Sequence, residues 1–501
     1  MDALFWVRFG FVSLCFIAAV ALLRKPQELV AGLKQFFLEP TSAVNLGLLR
    51  IAVFYLLYCS GYDRTSNWYA SLSPTFLKLP RGWVWLADLY PVLMNYIKPT
   101  EWVFIIASGL ALIGLFTRVS TVVSSVLAVW VMGIPNFYFK IGHADHVVVL
   151  SALVLACSRS GEALSVDWLI RRFRGRGIAP PARSVAYTVP IRFSWLLVGT
   201  SYLFPGLWKL WEGGDLWING HKLEVEMALK WAQLPDFVPR FRVDHLPAVM
   251  IFFGTMTLVF EIGYFFALFS RRTRVLAGVI ATSFHFGVGS TMGIWFSLWF
   301  PLIVVLDFPE LLEVAPFSWI RKPVLGLWNA VEERVRARVP RLKEPAAEVL
   351  VPGPPAAAFA AGSLLVLGMF VAGLGPIDSW PIAVYPRFDD RNASAPRTSF
   401  GLLYVVQEPG KEERELKSNF FPLGDTASAY RIVRAAIQAK AKKRQALLDE
   451  HVALLARLVR ENNPPMPSGT RLMIYRFDFH VDPAERAGDK RKRSLIAETT
   501  L

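Results

Sequence analysis

In "FPGLWKLWEGGDLW" (204–217), a single lysine stands between two tryptophans at the end of an apolar run. Lys209 admits two readings. Beside Trp208 and Trp211 it can snorkel, holding its ammonium at a membrane surface and its stem along apolar groups. Alternatively, apolar walls lower the pKa of its amine until it serves as a general base near neutral pH. The stretch "KIGHADHVVVL" (140–150) sets His143 and His146 on either side of Asp145, where another apolar run begins. That spacing suits interfacial hydrogen bonding. It would also put two ligands on one helical face, but no third ligand accompanies them, so no metal is expected. His285 lies between Phe284 and Phe286, and Gly287, Gly289 and Gly293 follow it. Those glycines allow close helix packing or a break near the end of a span. The plain reading of His285 is a core residue.

The elements that must position these residues are apolar helices. The chain has 501 residues, of which 54% are hydrophobic and 19% charged, with a mean hydropathy of +0.40. Soluble proteins carry more charge and less apolar residue than this. Apolar runs fall near 4–23, 45–61, 101–116, 119–135, 144–159, 189–205, 246–270, 274–289, 293–307 and 356–375. Several approach the length that crosses a bilayer and some are short, and the expected fold is an all-α polytopic membrane bundle of about ten spans. The run 4–23 lacks a basic leader and a clear cleavage site, and reads as a retained anchor. The stretch 81–97, with its aromatic face and Pro91, reads as a helix in the membrane interface or a re-entrant segment.

Basic residues give these spans a direction. Arg24, Lys25 and Lys34 follow the first run, Arg118 the third, "RRFRGRG" (171–177) the fifth, "RRTR" (271–274) the seventh, and 321–343 the ninth. With all of these loops cytoplasmic, the spans alternate without conflict and both termini lie outside the cell. Lys209, Asp215, His143, His146 and His285 then share the extracytoplasmic side. The net charge of +15 belongs to this pattern. No nucleic-acid-binding motif accompanies it, so no nucleic-acid partner is expected. Cys15, Cys59 and Cys157 fall inside apolar runs without metal or disulfide spacing and read as small buried hydrophobes.

The organisation expected is an N-terminal anchor (1–35), a membrane domain (36–310), a basic cytoplasmic loop (311–350), a final span (351–375) and an extracytoplasmic α+β domain (376–501). In the last, strand-like runs at 398–406 and 471–481 flank a segment of helical periodicity, 429–459. Its "KAKKR" reads as a solvated helix face. Nucleotide, hydrolase and zinc-protease motifs are absent, and so is the inverted repeat of a transporter.

Five stretches, in order, resemble the HTTM membrane-domain family, which includes the vitamin K-dependent γ-glutamyl carboxylases. They are "NLGLLRIAVFYLLY" (45–58), "GHADHVVVLSALVLACSRSGEALSVDWL" (142–169), "SYLFPGLWKLWEGGDLWING" (201–220), "RRTRVLAGVIATSFHFGVGSTMGIWFSLWFPLIVVL" (271–306) and "WPIAVYPRF" (380–388). The first four cover the membrane portion. The resemblance implies that Lys209 deprotonates a reduced, vitamin K-like quinone. It implies that His146, or His143, and His285 are site histidines. In that chemistry O2 converts the deprotonated hydroquinone to a strongly basic alkoxide, which takes a proton from a glutamate γ-carbon so that CO2 can add. An apolar, water-poor site suits such a base. Asp145, Trp208, Trp211 and Asp215 become candidate substrate contacts. The family's first lysine of a pair is Trp208 here, "WEGG" lengthens the turn before Asp215, and the propeptide-binding luminal domain is replaced by 376–501.

The expected protein is therefore a multi-pass protein of the bacterial inner (plasma) membrane. It carries quinone-dependent, carboxylase- or epoxidase-like chemistry at its outer face. Its partners would be the bilayer and a secreted peptide or protein substrate, with no metal or nucleotide. The reading from a different class is a non-enzymatic membrane partner for export, maturation or immunity of a secreted peptide.

Overall fold

The structure is a computed structural model. It describes residues 3–62, 77–138, 145–174, 183–234, 236–295, 300–307, 356–377, 379–383, 394–416, 466–486 and 492–501, with isolated residues at 69, 330 and 334 and within 445–460. Helices come first: α1 (Ala3–Leu23), α2 (Pro26–Leu38), α3 (Ala43–Tyr62), α4 (Tyr90–Met94), α5 (Ile97–Ile113), α6 (Thr117–Val131) and α7 (His146–Ala156). They continue as α8 (Val166–Phe173), α9 (Val185–Ile218), α10 (His221–Trp231), α11 (Pro247–Ala267), α12 (Arg271–Met292), α13 (Phe300–Val305) and α14 (Ala356–Leu374). A two-residue ladder, β1 (Thr41–Ser42) with β2 (Arg183–Ser184), ties the start of α3 to the start of α9.

Among the described residues, five helical stretches are long and apolar enough to cross a membrane: Ala43–Gly61, Thr117–Phe137, Pro247–Ala267, Arg271–Met292 and Ala356–Leu374. Large apolar side chains stand on their outer surfaces, including Phe252, Val259 and Phe266 on α11, Val279 and Ile280 on α12, and Leu364, Leu367 and Val371 on α14. So continuous an exposed apolar surface is a liability in water and is what lipid requires. The interior uses polar contacts sparingly. Ser108 and Ser124 share a hydrogen bond of 2.8 Å between α5 and α6, and Ser125 donates to the Ala152 carbonyl of α7 at 2.9 Å. Small hydroxyl residues of this kind join helices where apolar contact alone does not distinguish neighbour from lipid.

Other apolar runs take shorter forms. The run at 144–159 contains an eleven-residue helix, α7, whose residues Val147–Ala152 are all buried. Its composition reflects enclosure by protein as much as by lipid, as expected for an apolar helix of that length. The run at 293–307 contains α13, six residues long. The stretch 81–97 is a 3₁₀ turn (Arg81–Leu86) followed by α4, with Pro91 in the first turn. Proline lacks an N–H and so begins a helix more readily than it continues one.

The longest element departs furthest from its expected form. α9 has 34 residues, contains Pro190 and Pro205, and stays helical through the tryptophan–lysine stretch except at Gly213 (φ −148°, ψ 29°). "WEGG" is therefore part of a kinked helix, and Lys209 lies inside α9 instead of beyond its end. One turn before Lys209, a Cβ on Gly206 would come within 2.8 Å of the Glu261 Cβ, so its bare backbone lets α11 close on α9.

Past α14 comes an antiparallel sheet of order β4-β3-β5-β6, made by β3 (Thr398–Gln407), β4 (Arg414–Glu415), β5 (Arg471–His480) and β6 (Arg493–Thr500). The helix expected over 429–459 lies mostly outside the described residues. The sheet is held against the 231–245 segment. Val481 joins an apolar cluster with Met227, Trp231, Met250 and Met292, and Ser399 donates to the Ala232 carbonyl at 2.7 Å. Arg242 grips Asp482 with both terminal nitrogens, at 2.9 and 3.1 Å, and also holds Asp244. The Arg242 hydrogen bonds keep the Asp482 carboxyl below its ordinary value of 3.8. A depressed folded pKa gives stability that is full above the unfolded value and lost as pH falls through the folded one. Docking of the sheet is thus expected to be constant from neutral pH down past pH 5 and to weaken only below 3.8. Asp482→Asn should reproduce the acid state at pH 7. The distance between spin labels on the exposed Lys411 and Gln233 reports both, and pH sensitivity near 6 would contradict this assignment.

Candidate functional site

Lys209 is 3% exposed and forms an ion pair with Glu261 of α11. Its amine also lies 5.4 Å from the centre of the Trp217 ring, two turns further along α9. Neither lipid nor bulk water surrounds it. A snorkelling lysine would reach the surface, and this one turns inward to a carboxylate. Two buried polar atoms beside the pair have no hydrogen-bond partner among the described residues: Glu261 Oε2 and Trp217 Nε1. One is an acceptor and the other a donor. Buried polar atoms are normally satisfied, so an unfilled acceptor and donor beside one ion pair mark a place where a ligand's polar group fits.

One turn along α11 from Glu261, the Tyr264 ring lies 4.8 Å from that of Tyr202. Tyr202 is seven residues from Lys209 on α9 and shares its face. Its hydroxyl meets His285 Nε2 of α12 at 2.5 Å. The three helices thus align Lys209–Glu261 and Tyr202–His285 as two levels of one polar column in an aromatic lining that includes Phe260 and Phe284. His285 joins this column through Tyr202 and not by touching Lys209. Gly289 and Gly293 serve the packing expected of them. Trp295 lies against Gly289, and Gly293 ends α12 at φ +70°.

His146 lies elsewhere in the core. It is wholly buried at the start of α7, its ring 4.7 Å from that of Trp380. Trp380 donates to the Val129 carbonyl at 2.7 Å and its own carbonyl accepts from Trp83. The start of "WPIAVYPRF" is therefore anchored in the helical core beside His146. Asp145 is half-buried and precedes α7, and His143 lies outside the described residues. Trp208 donates to the Gly373 carbonyl of α14 at 2.7 Å. Trp211 faces α1, with the Arg8 guanidinium 4.9 Å from its ring and donating to its carbonyl at 2.6 Å. Asp215 is half-buried near the end of α9. Trp208 and Trp211 thus fix α9 against its neighbours, while Trp217 is the tryptophan that faces the amine.

Glu261, the partner of Lys209, is not among the candidate residues named from the sequence, although a signal for it is present there. In "MTLVFEIGYFFALF" (256–269) one carboxylate interrupts an otherwise uncharged apolar span. Such a residue marks a site by default. A second buried pair, Lys222 with Glu226, lies within α10 at 2.9 Å. Arg50, within the first of the five quoted stretches, is structural. Wholly buried, it donates to the carbonyls of Ser160 at 2.7 Å and Leu164 at 2.5 Å, and Asp167 caps α6 through the Thr117 amide at 2.6 Å.

Fold and site together define a mostly helical protein, with five helices among the described residues apt for a membrane and a buried ion pair between α9 and α11. Compared with known protein families, curated proteins and solved structures, the chain matches none.

Proposed function

We propose that the Lys209–Glu261 pair is an intramembrane proton-transfer site acting on a lipophilic substrate with a weakly acidic hydroxyl. The observation that carries this reading is the spare acceptor, Glu261 Oε2, and the spare donor, Trp217 Nε1, beside a buried amine. A proton passing from Nζ to the carboxylate turns the ion pair into a neutral pair, a change that an apolar interior favours. The amine's lone pair is then free to take a proton from the substrate hydroxyl, while Trp217 Nε1 can donate to the same oxygen. The apolar helices around the pair keep water from competing for that proton.

The HTTM resemblance names the substrate class, a reduced quinone. Its fit to this chain rests on the same donor, acceptor and aromatic lining. A reduced quinone would supply the acidic hydroxyl and the reaction with O2. Carboxylase- or epoxidase-like chemistry on a secreted peptide is the finer form of the proposal. So are about ten spans and a plasma-membrane location with both termini and the sheet outside.

Lys209→Arg keeps the charge but cannot give up its proton in the working range. It is expected to reduce complementation of a deletion strain by about 10²–10⁴-fold, the usual worth of a general base. Quinone should co-purify with the wild-type chain by mass spectrometry. Full complementation by Lys209→Arg would remove the base. It would favour the second reading, a membrane partner that receives a secreted peptide. That reading draws on β6, which among the described residues pairs on one side only, with β5. An open edge of this kind accepts an extended strand.

A further inference from the structure

At the opposite end of α9 from Trp217, where α3, α9 and α12 begin and α13 ends, lies a second polar site. A small cleft, with about 30 Å³ open to water-sized groups, is lined by Arg192, Arg274, Trp195, Asp307, Asn45 and Thr41 among others. Arg192 is 7% exposed and Arg274 9%. Both guanidinium carbons pack on the Trp195 ring, at 3.8 and 4.1 Å from its centre, so the cations stand no farther than about 8 Å apart, where like charges repel. The Trp195 ring is fixed by its own donation to the Val304 carbonyl at 2.6 Å. Arg192 spends Nε on the Phe36 carbonyl at 2.9 Å, and Nη2 reaches the exposed Glu39 only at 3.9 Å. Its Nη1 is buried and has no hydrogen-bond partner among the described residues. Two enclosed cations with a spare donor describe an oxyanion receptor. Asp307 on the same wall adds an acceptor for a cation.

We infer that this cleft binds the phosphodiester of a phospholipid headgroup, with the headgroup's ammonium directed to Asp307, as in phosphatidylethanolamine. The position agrees with that occupant. Arg271 and Arg272 are exposed at the same end, and basic pockets between spans at this level hold lipid headgroups. Arg192 Nη1 and the Arg274 guanidinium receive the phosphate oxygens by charge-assisted hydrogen bonds, which guanidinium geometry favours over a lysine's point charge. The inference rests on membrane insertion and not on the chemistry of Lys209.

Native mass spectrometry of the full-length, detergent-solubilised chain would test it, with titration of phosphatidylethanolamine, phosphatidylglycerol or inorganic phosphate. Wild type should bind one phosphatidylethanolamine in preference to phosphatidylglycerol. Arg192→Gln and Arg274→Gln should each weaken that binding about tenfold or more, the worth of one hydrogen bond to a charged group. Lys209→Arg should leave it unchanged. Asp307→Asn should reverse the preference, favouring phosphatidylglycerol, a switch that misfolding cannot produce. Equal binding by wild type, Arg192→Gln and Asp307→Asn would overturn the site. Binding of inorganic phosphate without either lipid would overturn the lipid as its occupant.

Discussion

Glu261→Gln is expected to lower the stability of the folded chain by about 3–5 kcal/mol, the usual cost of stranding one member of a buried ion pair. The Lys209 ammonium, almost fully enclosed, would then face a neutral amide in place of its carboxylate. The double variant Lys209→Met/Glu261→Leu removes both charges and fills similar volume. It should recover stability to within about 1 kcal/mol of wild type, because desolvating the pair offsets most of what its attraction contributes. Function should not recover. Unfolding titrations in mixed detergent micelles measure the first, and complementation of a deletion strain the second. A double variant that is stable and active would make the pair dispensable to chemistry. A Glu261→Gln protein as stable as wild type would show that Lys209 finds its counter-charge elsewhere.

Arg486→Ala should release the sheet from the helical body. Its guanidinium donates to five carbonyls, those of Trp231, Leu234 and Phe237 on the helical side and His480 and Val481 on the sheet side, at 2.8–3.1 Å. Arginine alone offers a planar fork of five N–H donors, and lysine has only three around a point charge. With each charged hydrogen bond worth about 1.5–3 kcal/mol when enclosed, and less here where the group is partly exposed, a loss of several kcal/mol is expected. Hydrogen exchange should accelerate across 231–245 and 480–486 while β3 and β5, paired over ten residues each, remain protected. Unchanged exchange at the seam would show that the Val481 cluster and Arg242 suffice.

Helices, their apolar character and the two strand runs were legible in the chain because each depends on local composition and periodicity. The runs at 398–406 and 471–481 became β3 and β5, neighbours in register from Thr398 against His480 to Gln407 against Arg471. The limits of that legibility are physical. An apolar stretch reads the same whether lipid or protein encloses it, and the run containing α7 has the composition of either. Glycines forbid nothing locally, so "WEGG" reads as a turn from its composition, whereas in the structure it continues α9 with a kink at Gly213.

By itself the sequence determined that Lys209 stands among tryptophans at the end of an apolar run, and that His146 and His285 belong to other apolar runs. Only the tertiary structure decided what each residue meets. Lys209 turns to Glu261, His285 to Tyr202 and His146 to Trp380. The pairing Lys209–Glu261 joins residues 52 positions apart, and no local rule connects them. It arises because Gly206 lets two helices approach closely enough for an amine and a carboxylate, each costly to bury alone, to be buried together.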